Sequence, residues 1–314
     1  MTSSRVDTAS AEKSYRVETP GLDGESPRST DGATGRSERA RWARRVLHNP
    51  NIVVGGSVFL LLVMIALLAE ALSPYNPTRL YPGQRLKPPG APNFLGTDEF
   101  GRDILSLVLH GSRVSLLVGG VTMVLTSLGG VVIGLIAGYY RRLDIVIMRV
   151  MDGLMAFPAI LLAIALMAAR GPGVWNVILS LSIVYLPRTA MLIRSTALSV
   201  RELDYVLAAQ ALGRGGLAVA FRHILPNCIG PLLVQGTFIF AYAVLAEAIL
   251  GFLGVGVPPY VPSWGNVIAS GKNVIREAFW VSLFPGLALT LSGLSLNLLG
   301  DGLRDVLDPR LRVQ

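Results

Sequence analysis

A single cysteine, Cys228, stands among 314 residues. No disulfide framework can form within the chain, and no Cys-x-x-Cys metal site exists. Histidine is nearly as scarce. His48, His110 and His223 lie far apart in sequence, and no H-E-x-x-H or G-x-S-x-G stretch occurs. Nor is there a G-x-x-x-x-G-K-[ST] phosphate loop: the one Gly-Lys pair, Gly271-Lys272, is followed by Asn273. Hydrolase, metalloenzyme and ATPase readings therefore lack their residues. Charge is sparse too, at 15% of residues, against about 25% in soluble domains.

What is abundant is apolar sequence: 52% of residues are hydrophobic and the mean hydropathy is +0.54. The composition points to an all-α, polytopic membrane protein. A helix needs roughly 20 mostly apolar residues to cross the hydrocarbon. Six candidates meet this: 52–72, 114–138, 145–168, 174–194, 229–250 and 279–299. Asp152 and Phe157-Pro158 interrupt the third, and the fourth is expected to kink or end near Pro187-Arg188. The run 52–72 carries Ala69-Glu70-Ala71, which has the look of a cleavage site. It exceeds the roughly 7–15 residues of a signal-peptide core, and further spans follow, so it reads as an uncleaved first helix.

Six spans place both termini on one side. Of the 28 Lys and Arg, 20 fall on the terminal side and 8 on the other, which predicts cytoplasmic termini. The organisation expected is a basic disordered tail over 1–50, a first span over 51–72 and an extracytoplasmic segment over 73–113. A transmembrane core over 114–300 follows, with a cytoplasmic loop at 195–227, and then a cytoplasmic C-terminus over 301–314. The tail is poor in bulky apolar residues and cannot offset its chain entropy. Its end, "ERARWARRVLH", suits either a lipid surface or a plain basic flank. The net charge of +8 is distributed along span flanks, so no nucleic-acid partner is expected. Gly130, Gly134 and Gly138 share one helix face and predict close helix approach within lipid.

The loop between the fourth and fifth spans reads "LDYVLAAQALGRGGLAVAFRHILPN". Ser199 and Glu202 fit a capping box. A helix then runs to about Leu212, and Gly213 sits where a left-handed cap would end it. Leu203, Val206, Leu207 and Ala211 recur at helical spacing. A second helical piece, 217–224, leads to Pro226. A helix of about ten residues is marginal alone. It packs either on its own bundle or into the groove of a separate cytoplasmic protein.

This loop resembles the EAA loop of bacterial ABC importer permeases, E-A-A-x-x-x-G followed by I-x-L-P. Ala208, Ala209, Gly213, Leu225 and Pro226 match at the right spacing; Leu207 stands in place of Glu, and His223 in place of Ile. "NFLGTDEFGRDILSLVLHGSRVSLLVG" and "AEAILGFLGVGVPPYVPSWGNVIASG" resemble the segments after the first and fifth spans of the dipeptide/oligopeptide/nickel permease subfamily. The resemblance covers about residues 50–312. It implies a six-span, type I ABC importer permease subunit in the bacterial inner membrane. It implies a second homologous permease, two cytoplasmic ATPase subunits holding ATP and magnesium, and an extracytoplasmic substrate-binding protein. The helix between Ser199 and Gly213 would be the coupling helix, with Leu203, Val206 and Leu207 packed on the ATPase and Arg214 or Arg222 paired to its acidic groups. The chain itself would bind no cofactor and no metal. A peptide substrate is expected; an ion-coupled transporter or a non-transporting scaffold is the alternative.

Other residues have two readings each. Thr97 is a candidate N-cap for an interfacial helix on the outer leaflet. Asp98, Arg102 and Asp103 form either a brace or a docking surface for the binding protein. Glu247, the ionisable residue deepest in a span, either borders the translocation path or bonds helix to helix. Asp152 and Asn297 carry the same ambiguity. Residues 301–312 read as a short cytoplasmic helix ending before Pro309.

Overall fold

The computed structural model describes residues 46–307. The basic stretch ending at Arg45, the tail before it and the residues from Asp308 onward lie outside the described residues. Asn49 opens the first helix: its side chain accepts from the N–H groups of Asn51 and Ile52, and Pro50 occupies the first helical position, where no N–H is needed. In chain order the helices are α1 (Pro50–Leu67), α2 (Ile104–Tyr139), α3 (Arg141–Met155), α4 (Ala159–Arg170) and α5 (Val174–Arg201). They continue with α6 (Asp204–Ala211), α7 (Leu225–Phe252), α8 (Trp264–Gly271) and α9 (Trp280–Leu307). Among the described residues no strand forms; the only β feature is an isolated bridge between Thr97 and Asp103.

Five helices, α1, α2, α5, α7 and α9, are long and apolar enough to cross a membrane. A sixth crossing exists only as the pair α3 and α4, which meet at 92°. This corrects the expectation of a single helix over 145–168. Pro158 is extended (φ −55°, ψ 128°). It has no N–H, and in a continuing helix its ring would strike the carbonyl of Leu154. α3 also carries Arg141, Arg142, Asp144, Arg149 and Asp152, too much charge for an apolar crossing.

Other boundaries move as well. α5 passes through the buried Pro187 and ends at Arg201, because neighbouring helices compensate a proline inside a membrane bundle. α9 continues to Leu307, so residues 301–307 extend the last span and form no separate helix. α2 starts at Ile104, and its first turns are buried against protein, so no distinct interfacial helix exists. At 36 residues it is about 54 Å long, well beyond the roughly 30 Å hydrocarbon core. It therefore joins the two ends of the molecule.

α2 and α5 form the most extensive helix pair, and the glycine face permits it. A Cβ on Gly134 would stand 2.6 Å from the Ala190 carbonyl oxygen, and one on Gly138 2.8 Å from the Ala197 Cβ. α1 packs on α9, and α7 packs on both α2 and α9. The entry to α7 is unusual. A turn over Gly216–Val219 runs into a π-helical turn, Ala220–Ile224, before α7 begins. Pro226 has no N–H for the Arg222 carbonyl, and the Leu225 N–H bonds instead to Ala220. A widened turn is one way a helix accommodates such a gap.

Candidate functional site

α6 sits beyond the ends of α2 and α5. Its start differs from the capping box expected at Ser199 and Glu202. Ser199 is inside α5 and donates to the Ser195 carbonyl at 3.1 Å. Leu203 is the N-cap, without a side-chain bond, and Asp204 provides the acidic first turn, which favours the positive helix end. α5 runs on because Ala197 and Val200 are held in a buried cluster with Ile193, Leu135 and Cys228. The stop is as expected: Gly213 has φ +77°, and its N–H bonds to Gln210.

The two faces of α6 are unlike. Val206 is 0% exposed and belongs to the same buried cluster; Ala209 is also buried. Val206 is thus a bundle residue, which removes it from the set available to a partner. Leu203, Tyr205, Leu207 and Ala208 are exposed, and Leu212 is 84% exposed. Arg214, Arg222 and Pro226 are exposed, and Leu225 is half-buried. Asn227 donates to the Tyr205 hydroxyl at 3.1 Å and to the His223 carbonyl at 2.7 Å. Arg201 lies over the Tyr139 ring at 5.6 Å, tying α5 to the end of α2. The sequence pattern did not single out Tyr205 and Leu212 for the exposed face. Their positions two residues after Leu203 and one before Gly213 were the available signal.

Beside this end, α3, α5 and α7 wall a cleft of about 910 Å³. Its polar lining includes Asp152, Arg188, Arg194 and Gln235, with Phe238 and Tyr242 beside them. A second recess of about 570 Å³ shares Leu192, Gln235 and Phe238 and reaches Arg304. Arg194 is neutralised by a two-pronged pair with Asp144, Nε to Oδ1 and Nη2 to Oδ2. Three helices distant in sequence assemble this cleft, so no local motif announces it.

At the other end the polar groups turn inward. Asp98 is buried. Its Oδ1 accepts from the N–H groups of Phe100 (2.9 Å) and Arg102 (2.8 Å), and its Oδ2 from the Arg102 Nε at 2.6 Å. Asp103, also buried, accepts from Asn93 Nδ2 at 3.0 Å and from both the N–H and hydroxyl of Ser106 at 2.8 Å. Asp103, and not Thr97, therefore caps α2. Thr97 instead donates to the Gln84 carbonyl at 2.6 Å, while its own carbonyl accepts from Trp280 Nε1 at 3.2 Å. Asp98 and Arg102 form one unit, and Asp103 a separate one beside it.

Glu247 is fully enclosed. Its Oε2 accepts from Ser115 of α2 at 2.8 Å, and the same serine oxygen accepts from the Trp264 N–H of α8 at 3.2 Å. Glu247 thus ties α7 to α2 and α8 and does not line the cleft. Among the described residues no group of three or more His, Cys, Asp or Glu could hold a metal ion.

Five long apolar helices, a bent sixth pair and a short helix presenting leucines beyond them define a multi-span membrane protein of the transport permease class. Residues 130–313 match the family described as the binding-protein-dependent transport system inner membrane component. Residues 38–89 match the N-terminal transmembrane domain of oligopeptide transport permease C. The chain belongs to this permease family and is a membrane subunit of an ABC importer. It is 44% identical over 272 residues to the di/tripeptide transport system permease protein DppC of Pseudomonas aeruginosa, covering 84% of this chain and 90% of that one. It is 43% identical over 271 residues to the dipeptide transport system permease protein DppC of Escherichia coli K12, with the same coverage. It is 39% identical over 282 residues to the glutathione transport system permease protein GsiD of Pectobacterium atrosepticum, covering 88% and 94%.

Proposed function

We propose that this subunit forms half of a translocation path for short peptides and is driven by cytoplasmic ATPases through α6. The two-faced character of α6 carries the reading. Val206 and Ala209 fix it to the bundle, while Leu203, Leu207 and Leu212 are left uncovered. Covering those three would contribute roughly 3–6 kcal/mol gross, given about 1.5–3 for a fully buried leucine and the partial exposure of two of them. That is enough to seat a helix in a groove, after association costs, when a second such contact exists on the partner permease. Arg214 and Arg222 supply positive charge beside this face, and Ala208, Leu225 and Pro226 complete its surface.

In this reading the termini and α6 are cytoplasmic. The cleft of α3, α5 and α7 faces a second, homologous permease, and cargo passes between the two. The ATPases hold the nucleotide and magnesium, and this chain makes and breaks no covalent bond. The loop fixed by Asp98, Arg102 and Asp103 is the platform for an extracytoplasmic binding protein, the carboxylates bracing it from within. Peptide cargo is favoured by the names of the relatives above, which are di/tripeptide, dipeptide and glutathione transport system permeases. Glu247 offers an ion-coupled mechanism no accessible carboxylate, because it is enclosed and bonded to Ser115.

Purification through this chain tests the proposal. A nucleotide-hydrolysing subunit is expected in stoichiometric amount, and the complex with its binding protein should carry dialanine into vesicles only with ATP. Uptake without nucleotide, or with this chain alone, contradicts it.

A further inference from the structure

The cleft holds an imbalance of charge that its own helices do not resolve. Arg188 is the 15th residue of the 28 in α5, a helix long and apolar enough to cross a membrane. A cation in such a helix is costly unless water or a counter-charge meets it. Among the described residues no carboxylate stands within ion-pair distance of it, and it is exposed on the cleft wall. The other arginine of the wall, Arg194, is already neutralised by Asp144. Asp152 lines the same cleft from α3, near enough to Arg194 to feel its charge, yet Arg194 is committed elsewhere. One surplus cation and one surplus anion therefore face the same space.

Arg188 and Arg194 are six residues apart on α5, about 9 Å along its axis, and Asp152 of α3 lines the same cleft. A free-ended peptide carries an ammonium and a carboxylate. In a di- or tripeptide these are roughly 7–10 Å apart at 3.3–3.6 Å per residue.

We propose that Arg188 and Asp152 form a two-point charge site for short zwitterionic peptides in transit, Arg188 meeting the carboxylate and Asp152 the ammonium. The proposal rests on the peptide-importer reading and sharpens it to short cargo with both ends free. Gln235, on the α7 wall of the same cleft, offers an amide to the peptide backbone. The site lies in the membrane path, so it acts on cargo after the binding protein has released it.

The test uses the assembled importer in proteoliposomes with its binding protein, with dialanine and trialanine as probes at saturating concentration. Arg188→Gln should lower uptake about tenfold, Asp152→Asn should lower it several-fold, and Arg188→Lys should keep at least half. The exchange Arg188→Asp with Asp152→Arg presents the same pair reversed, and should transport better than either Arg188→Asp or Asp152→Arg alone. Wild-type-like uptake by Arg188→Gln overturns the charge site while leaving the importer reading intact. Loss of assembly with the second permease in Arg188→Gln also overturns it, because Arg188 would then be an interface cation. If the wild-type importer carries neither peptide, the cargo reading fails and this site fails with it.

Discussion

The two ends of α2 are built on different principles. At its start, Asp98 is satisfied by Phe100 and Arg102, Asp103 by Asn93 and Ser106, and Thr97 by Gln84 and Trp280, and the carboxylates that looked most available for a partner are buried. At its finish, Tyr139 and Arg201 hold a short helix whose leucines remain uncovered. The first end is satisfied within the chain, and the second leaves apolar surface uncovered. A charged residue in a loop is thus a poor sign of an interface when its bonds are all internal. An uncapped, apolar-faced helix is a better one.

Substitutions at the two ends can break or sharpen this contrast, taken here in order of their expected effect on stability. Val206→Asp places an unpaired charge in the buried cluster and should cost about 3–5 kcal/mol, seen as loss of folded protein in detergent. Asp98→Ala removes a carboxylate that accepts two backbone N–H groups and a guanidinium, a cost of roughly 2–3 kcal/mol. It should lower the thermal midpoint, and Asp98→Asn should recover part of the loss. Gly134→Val overfills the contact with Ala190 and Ile193, costing about 1–3 kcal/mol, again read as a lower midpoint. Leu207→Asp, one residue from Val206, should change stability by less than about 0.5 kcal/mol. It should nonetheless lower ATP-driven uptake about tenfold and reduce co-purification of the ATPase. Equal midpoints for Val206→Asp and Leu207→Asp would erase the distinction between the faces of α6.

Much of this was readable from residue types in order. The helical membrane class, the Gly130–Gly134–Gly138 face and the Gly213 stop each follow from a local physical rule. What failed were boundaries where two local signals competed. Ser199 and Glu202 form a plausible cap, but Ala197 and Val200 are needed in the core, so α5 continues over them. Thr97 and Asp103 are both good caps. Asp103 is used because Gly96 and Gly101, at φ +79° and +74°, turn the chain between them into a closed loop. Pro158 was recognised as an interruption, but its consequence, a 92° bend, depends on where α3 and α4 find neighbours. The cleft had no local signal, since Asp152, Arg188 and Gln235 meet only after three helices pack.

Placing a photo-crosslinking residue at position 207 of the assembled importer tests the central claim most directly, with position 206 as its comparison. The account predicts an adduct between position 207 and the ATP-hydrolysing subunit, and none from position 206. The absence of that adduct at 207, or its capture by a protein on the extracytoplasmic side, would contradict it.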